Sequence, residues 1–365
     1  MAARAKEMKA QGIDVISMSL GEPDMDTPIH IRRAAQEAID NHWSHYGPVA
    51  GIPSLRAAIA AQQHCASEDV MVSVGAKMAI FNAIQTAINP GDEVIIPMPS
   101  WVSYTEMVKL AEGVVVPVET AFEDNYCLTP EQLRSALTPR TRMLILCSPN
   151  NPTGSVYSAA QLEALVDVLR AYPDVIVLSD EVYACLTYGI DAPSMASFAD
   201  LADRLIVVNG VSKAYAMTGY RVGWLVTKNH EFLAGCVRLQ GQQLTCATMV
   251  AQKAAEAALT ESQECVEQMR QVFAERRELI CRLAAEIPGF KFREPQGAFY
   301  LFPDVSAIGT GDEVAERLLD KAHVAVVSGS AFGCPSCIRL SYAISTDEII
   351  EAMRRIKEEL SKCIK

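Results

Sequence analysis

Leu144-Ile145-Leu146-Cys147, a polar turn, a stretch of helical period from Ser158 to Ala171, then Val175-Ile176-Val177-Leu178: this segment decides the fold. Each apolar run is strand-sized and unbroken by polar residues, the pattern of a strand buried on both faces. A helix between two such strands is a βαβ unit, the building block of a mostly parallel sheet. The alternation continues outward. Upstream, the helix Ser54–His64 is followed by the strand Val70–Val74 and the helix Lys77–Ile88, which Asn89-Pro90-Gly91 stops. The strand Val94–Pro97, the helix Trp101–Ala111 and the strand Val114–Val118 come next, and Leu205–Val208 and Val222–Val226 follow downstream. Seven strand-type runs predict an α/β fold with a seven-stranded sheet. Beyond about residue 230 the pattern changes. Long helical stretches, Ala247–Leu259 and Gln263–Glu286, lead into short apolar runs at Phe290–Phe292 and Ala298–Phe302. A helix near Asp312–Ala322, the strands Val324–Val327 and Ile338–Tyr342, and a last helix Thr346–Leu360 complete a smaller α+β part.

Composition narrows the function. Of 365 residues, 50% are hydrophobic, which excludes a disordered chain. The length suits about two domains, with enough core to need no metal or disulfide staple. A net charge of −12 argues against a nucleic-acid partner, which needs clustered Lys and Arg. The longest apolar stretches fall far below the ~18 residues of a membrane span, so no membrane association is expected. Met1–Gln11 carries Arg4, Lys6 and Lys9 without the apolar core of a secretory signal. The 11 cysteines are scattered rather than framed in pairs, which fits a reducing cytoplasm. The six histidines form no ligand spacing beyond His42 and His45, and no metal is expected.

Four segments carry chemistry. Asn209-Gly210-Val211-Ser212-Lys213-Ala214-Tyr215-Ala216-Met217-Thr218-Gly219-Tyr220-Arg221 runs from a strand into a loop that holds a lysine and an arginine. Ser179-Asp180-Glu181-Val182-Tyr183 follows a buried strand, and open α/β sheets place ligands at such carboxyl ends. Ser148-Pro149-Asn150-Asn151-Pro152-Thr153-Gly154 follows another. Arg339-Leu340-Ser341-Tyr342 sets a cation in an apolar strand, where it wants a carboxylate, structural or substrate. Singly, each has a plain reading: a solvated lysine, a helix cap, a turn, an internal ion pair. Cys334-Pro335-Ser336-Cys337 has redox spacing, but it does not follow a first strand as a thioredoxin-like motif does. The charged residues of Glu348–Lys365 read as a solvated face.

Taken in order, these segments resemble the class I/II aminotransferases of fold type I, most closely the prokaryotic-type aspartate aminotransferase branch. Gly21-Glu22-Pro23-Asp24, Tyr46-Gly47-Pro48, Val74-Gly75-Ala76-Lys77 and Trp101-Val102-Ser103-Tyr104 extend the likeness over nearly the whole chain. The resemblance implies a pyridoxal 5'-phosphate enzyme with a large domain over 25–265 and a small domain made of 1–24 and 266–365. It implies Lys213 as the Schiff-base and proton-transfer residue, Asp180 beneath the ring nitrogen with Glu181 as its more exposed neighbour, and Tyr183 and Asn151 at the ring's phenolic oxygen. Trp101 would stack on the ring. Gly75, Ala76, Lys77, Ser212 and Arg221 would hold the phosphate, joined by Tyr46 from a neighbouring subunit, so that a homodimer shares its sites. Arg339, Asn151, Trp101 and the backbone of Gly21 would bind substrate, with Arg339 on the α-carboxylate. Lys77 is the candidate for a distal carboxylate, or else a phosphate-proximal or solvent-paired lysine.

The implied reaction moves an amino group from an amino acid to a 2-oxo acid such as 2-oxoglutarate, with aspartate the favoured donor and aromatic amino acids or prephenate next. Two rivals share these residues. One is a β-eliminating C–S lyase on the same scaffold; the other is a non-catalytic regulatory module, which carries a basic winged-helix segment where this chain starts directly in the fold. The chain departs from the family in Tyr220 where tryptophan is common and in Ala76 where glycine or serine is common. The resemblance also implies an N-terminal arm ahead of the segment matching Ala2–Lys9, which this sequence does not include.

Overall fold

In the computed structural model, which describes residues 2–363, seven strands build the main sheet. After a short N-terminal strand β1 (Ile16–Ser17) they are β2 (Val70–Ser73), β3 (Glu93–Met98), β4 (Val114–Glu119), β5 (Thr141–Cys147), β6 (Ile176–Asp180), β7 (Leu205–Gly210) and β8 (Gly223–Val226). Their spatial order is β2-β8-β7-β6-β5-β3-β4, and only β8 runs against the rest. Alternate side chains of each central strand enter opposite cores. Ile145, Leu178 and Val208 pack with Ile80 and Ile84 of the helix Gly75–Ala87. Leu144, Val177 and Val207 pack on the other face with Leu162, Leu165 and Leu169 of the helix Ala159–Leu169. Both faces are covered, which is why these strands read as unbroken apolar runs. The edge strand β4 is partly exposed along its length.

Two glycines set how the site is assembled. A Cβ on Gly223 would lie 2.2 Å from the Ala76 amide nitrogen, so only glycine lets β8 pass under the start of the helix Gly75–Ala87. Gly75 opens that helix at φ +77, a conformation costly for other residues.

The second part gathers around the long helix Glu264–Ala284 and the helix Thr346–Leu360, whose Ile349, Met353 and Ile356 share one core with Phe273 and Ile280. Its strands are β9 (Tyr300–Leu301), β10 (Val324–Ala325), β11 (Val327–Ser328) and β12 (Ile338–Ser341). β12 lies between β9 and β11, antiparallel to both, while β1 pairs parallel with β10.

Several expectations differ in detail. The single strand expected over Val324–Val327 is split: β10 pairs with the N-terminal β1 and β11 with β12, and the chain changes sheets at Val326. Phe290–Phe292 makes only an isolated bridge at Lys291, because no neighbouring strand runs alongside it. The helix near Asp312–Ala322 is Gly311–Arg317 followed by one wider turn over Leu318–Ala322. The helices Ala2–Ala10, Ile29–Asp40, Pro130–Ala136 and His230–Gln243 are not among those expected; Ile29–Asp40 buries only Ile31 and Ala38. Among the described residues no helix is long and apolar enough to cross a membrane.

Candidate active site

The carboxyl ends of β5, β6 and β7 lie side by side, and the loops that leave them open onto a cavity of about 420 Å³. Lys213 reaches it because β7 ends at Gly210 and a single helical turn, Val211–Ala214, lifts the lysine over the sheet edge. Its Nζ donates to the Gly21 carbonyl oxygen at 2.5 Å. Burial lowers its pKa from 10.5 to about 8, with Arg221 and Arg339 pushing the same way and Glu22 and Asp180 opposing.

Asp180 ends β6 and is buried. Its Oδ2 accepts from the Tyr104 hydroxyl at 2.6 Å and its Oδ1 from the Val182 backbone N–H at 3.2 Å. Burial raises its pKa, while those two donors and Lys213 hold the rise back. Glu181 corrects an expectation: rather than standing clearly more exposed, it is as buried as Asp180, at 5% against 4%. The segment Ser194–Met195 folds over it, and Glu181 Oε1 accepts from Ser179 Oγ, Ser194 Oγ and the Met195 N–H. It is spent on the scaffold.

Tyr183 is buried, its hydroxyl 2.8 Å from that of Tyr300. Trp101 is half-buried, edge-on to Tyr104 with ring centroids 5.3 Å apart, and Lys77 Nζ sits 4.7 Å from its ring centre. The helix Gly75–Ala87 points its N-terminus at the cavity through Ala76 and Lys77, where free amides and the dipole favour an anion. Arg221 closes on it: a Cβ on Gly75 would lie 2.6 Å from Arg221 Nη2. Ser212 lines the same end of the cavity. Burial first, then the nearby Arg221 charge, lowers the Lys77 pKa.

Arg339 lies on β12, 7% exposed. Nη1 donates to Asn151 Oδ1 at 2.9 Å and Nη2 to the Ser19 carbonyl at 2.8 Å, while Nε is buried without a partner. Both partners are neutral and the guanidinium otherwise lies against the Tyr300 and Phe332 rings, at 4.4 and 4.9 Å, so a buried cation faces the cavity with no carboxylate paired to it.

Of the sequence-derived candidates, Gly21, Ala76, Lys77, Trp101, Asn151, Asp180, Tyr183, Ser212, Lys213, Arg221 and Arg339 line this one cavity, and Gly75 supports its Arg221 wall. Tyr46 does not join them within the chain; it is 86% exposed, beside Trp43 and Thr248. Sequence reasoning missed Tyr104, Tyr300 and Glu22. Tyr104 belongs to a quoted motif, yet nothing in the spacing shows its reach to Asp180, and Tyr300 hides in the apolar run Ala298–Phe302. Cys334 and Cys337 lie with sulfurs 3.4 Å apart, and the Cys337 hydrogen bond lowers the Cys334 pKa to about 7. Among the described residues no group of three or more His, Cys, Asp or Glu side chains is placed to hold a metal ion.

Comparison with known proteins places this geometry. Residues 13–356 match the family described as aminotransferase class I and II. The chain belongs to that family. It is 44% identical to an aspartate aminotransferase of Bacillus sp. (strain YM-2), over 97% of this chain and 93% of that protein. It is 41% identical to an aspartate/prephenate aminotransferase of Nitrosomonas europaea, over 98% and 95%. It superposes on the structure of Thermus thermophilus aspartate aminotransferase with maleate at a TM-score of 0.94, with 40% identity, covering 98% of this chain and 94% of that one.

This aminotransferase is therefore a pyridoxal-phosphate enzyme that exchanges an amino group between an amino acid and a 2-oxo acid. The residues present fit the cofactor. A phosphate would find a helix N-terminus with Arg221 beside it, an aldehyde would find an amine whose depressed pKa frees the nucleophilic form, and a ring nitrogen would find a buried carboxylate.

Proposed function

We propose that this aminotransferase takes aspartate as its preferred amino donor, with aromatic amino acids or prephenate next, and a 2-oxo acid such as 2-oxoglutarate as acceptor. One observation carries the reading: two unspent cations face one cavity, Arg339 deep within it and Lys77 at the helix start beside Trp101. A dicarboxylic amino acid satisfies both. The named relatives act on aspartate or prephenate, and the Thermus structure is a complex with maleate, a small dicarboxylate.

The residue roles follow from chemistry. Bound pyridoxal phosphate supplies an electron sink that lets the substrate Cα–H bond ionise. Lys213 provides the amine that anchors the cofactor and, once displaced by substrate, the base that carries the α-proton. Asp180 favours a proton on the ring nitrogen. Asn151 and Tyr183 serve the ring's phenolic oxygen, and Asn151 also fixes the Arg339 guanidinium. Arg339 clamps the α-carboxylate in a planar fork. Trp101 packs on the ring, and Gly75, Ala76, the backbone N–H of Lys77, Ser212 and Arg221 hold the phosphate, which leaves the Lys77 ammonium for substrate.

The proposal extends to assembly. The exposure of Tyr46 supports a homodimer in which it completes the partner's phosphate site. The pairing of β1 with β10 supports a small domain made of residues 1–24 and 266–365, set against a large domain over 25–265. A cytoplasmic location suits 11 unpaired cysteines.

The test is a half-reaction. Loaded enzyme is mixed with aspartate, glutamate or an aromatic amino acid, with no 2-oxo acid present, and its visible absorption is followed. Fastest conversion by aspartate, with one equivalent of its 2-oxo acid released, supports the reading. A faster aromatic donor reverses the preference. Pyruvate and ammonia released from a cysteine conjugate, without conversion by any of the three, would make the protein a β-lyase.

A further inference from the structure

The pair Tyr104–Asp180 has no assigned role, and its geometry is specific. Tyr104 stands on the helix Ser103–Leu110 that follows β3, whereas Asp180 ends β6. They meet only because the helix folds back over the sheet. Both are almost fully buried, at 1% and 4% exposed. A core position needing only volume would accept phenylalanine, yet here a hydroxyl is aimed at a carboxylate oxygen at 2.6 Å. The same ring meets Trp101 edge-on, with planes at 87°. One side chain thus touches both groups assigned to the cofactor ring: the carboxylate beneath its nitrogen and the plate against its face.

We infer that Tyr104 is a positioning residue of the transamination site, holding Asp180 as an oriented anion and setting the attitude of Trp101. The inference rests on the proposed roles of Asp180 and Trp101. Its physical basis is a competition. Burial drives Asp180 toward the neutral acid, which cannot favour a protonated ring nitrogen. Opposing that drive are the Tyr104 hydroxyl, the Val182 N–H and the more distant Lys213 charge. The other titratable neighbours, Cys147 on the adjacent strand and Glu181 next in the chain, bring no positive charge. Tyr104 is the strongest of the donors, and a hydroxyl given to a charged acceptor is worth more than a neutral bond. Two of the carboxylate's roughly four acceptor sites are used by the protein, which leaves capacity for a ring N–H.

The test compares wild type, Tyr104→Phe and Asp180→Asn. Cofactor affinity is measured by equilibrium dialysis of the apoenzyme, the pH midpoint of the loaded enzyme's visible band by titration, and kcat and KM by steady-state kinetics. Tyr104→Phe should weaken cofactor binding about tenfold to a hundredfold. It should lower kcat with little change in the amino-acid KM, which Arg339 governs. The pH midpoint should move upward, because a ring held less firmly in its cationic form repels a proton at the Lys213 end less. Unchanged affinity and midpoint in Tyr104→Phe would overturn the inference and leave Tyr104 a packing residue. If that variant does not fold, 3,5-difluorotyrosine at position 104, a stronger donor of nearly the same shape, should move the midpoint downward; no movement overturns the inference equally. Asp180→Asn separates the two levels. If it leaves affinity and turnover intact, the assignment of Asp180 itself fails, whatever Tyr104 does.

Discussion

Replacing Arg339 by lysine keeps the charge and removes the fork. A guanidinium offers five N–H donors. Here one on Nη1 goes to Asn151 Oδ1 and one on Nη2 to the Ser19 carbonyl, which leaves Nε–H and a second hydrogen on each terminal nitrogen for a ligand. A carboxylate accepting two of these forms two parallel charge-assisted bonds in a site only 7% exposed. At about 1.5–3 kcal/mol for each hydrogen bond to a charged group, losing one and distorting the other costs about 3–4 kcal/mol. In kcat/KM that is a fall of ~10²–10³-fold. Lysine cannot recover it, since one flexible ammonium cannot also satisfy Asn151 and Ser19. The assay is kcat/KM for aspartate, glutamate, phenylalanine and alanine. The α-carboxylate is common to all four, so the fall should be of similar size for each. A large loss for the acidic donors alone would put Arg339 on the distal carboxylate and refute the assignment. An unchanged kcat/KM throughout would refute the anion-seeking reading of the buried guanidinium.

Lys213→Met should abolish turnover and yet stabilise the cofactor-free protein. Lys213 titrates near 8 when folded against 10.5 unfolded, so the unfolded chain binds its proton more tightly and the buried charge costs stability, fully below about pH 8 and progressively less up to 10.5. The displacement corresponds to about 3 kcal/mol at pH 7, visible as a higher Tm that converges on wild type toward pH 10; an equal or lower Tm at pH 7 would contradict it. Lys77→Leu should raise KM for aspartate several-fold while sparing aromatic donors, and a uniform loss together with weaker cofactor binding would make Lys77 a phosphate ligand instead. Tyr46→Ala should weaken cofactor retention, and mixing it with Lys213→Met subunits should restore some activity in hybrid dimers. No recovery on mixing would mean that the sites are not shared.

The sheet was legible in the sequence because its central strands are buried on both faces, so β5, β6 and β7 had to be written as unbroken apolar runs. Lys213, Asp180 and Arg339 were legible for a related reason. Reactive or charged groups in apolar or strand-end settings break the local pattern and stand out once their neighbours are read with them. Family resemblance then supplied roles that composition and spacing do not contain.

Other features needed the tertiary structure. Val324–Val327 reads as one strand, and only the arrival of β1 and β12 on either side splits it between two sheets. The burial of Glu181 is decided by a loop over a dozen residues downstream, not by its own sequence neighbours. The charge on Arg339 acquired meaning only when its partners proved to be an amide and a carbonyl contributed from the distant positions Asn151 and Ser19. Tyr104 is a tyrosine on an ordinary amphipathic helix until the fold sets its hydroxyl against Asp180. The division has one physical cause. Burial and periodicity act between near neighbours and leave a one-dimensional trace, whereas a hydrogen bond between residues 104 and 180 is fixed only when loops and layers close in three dimensions.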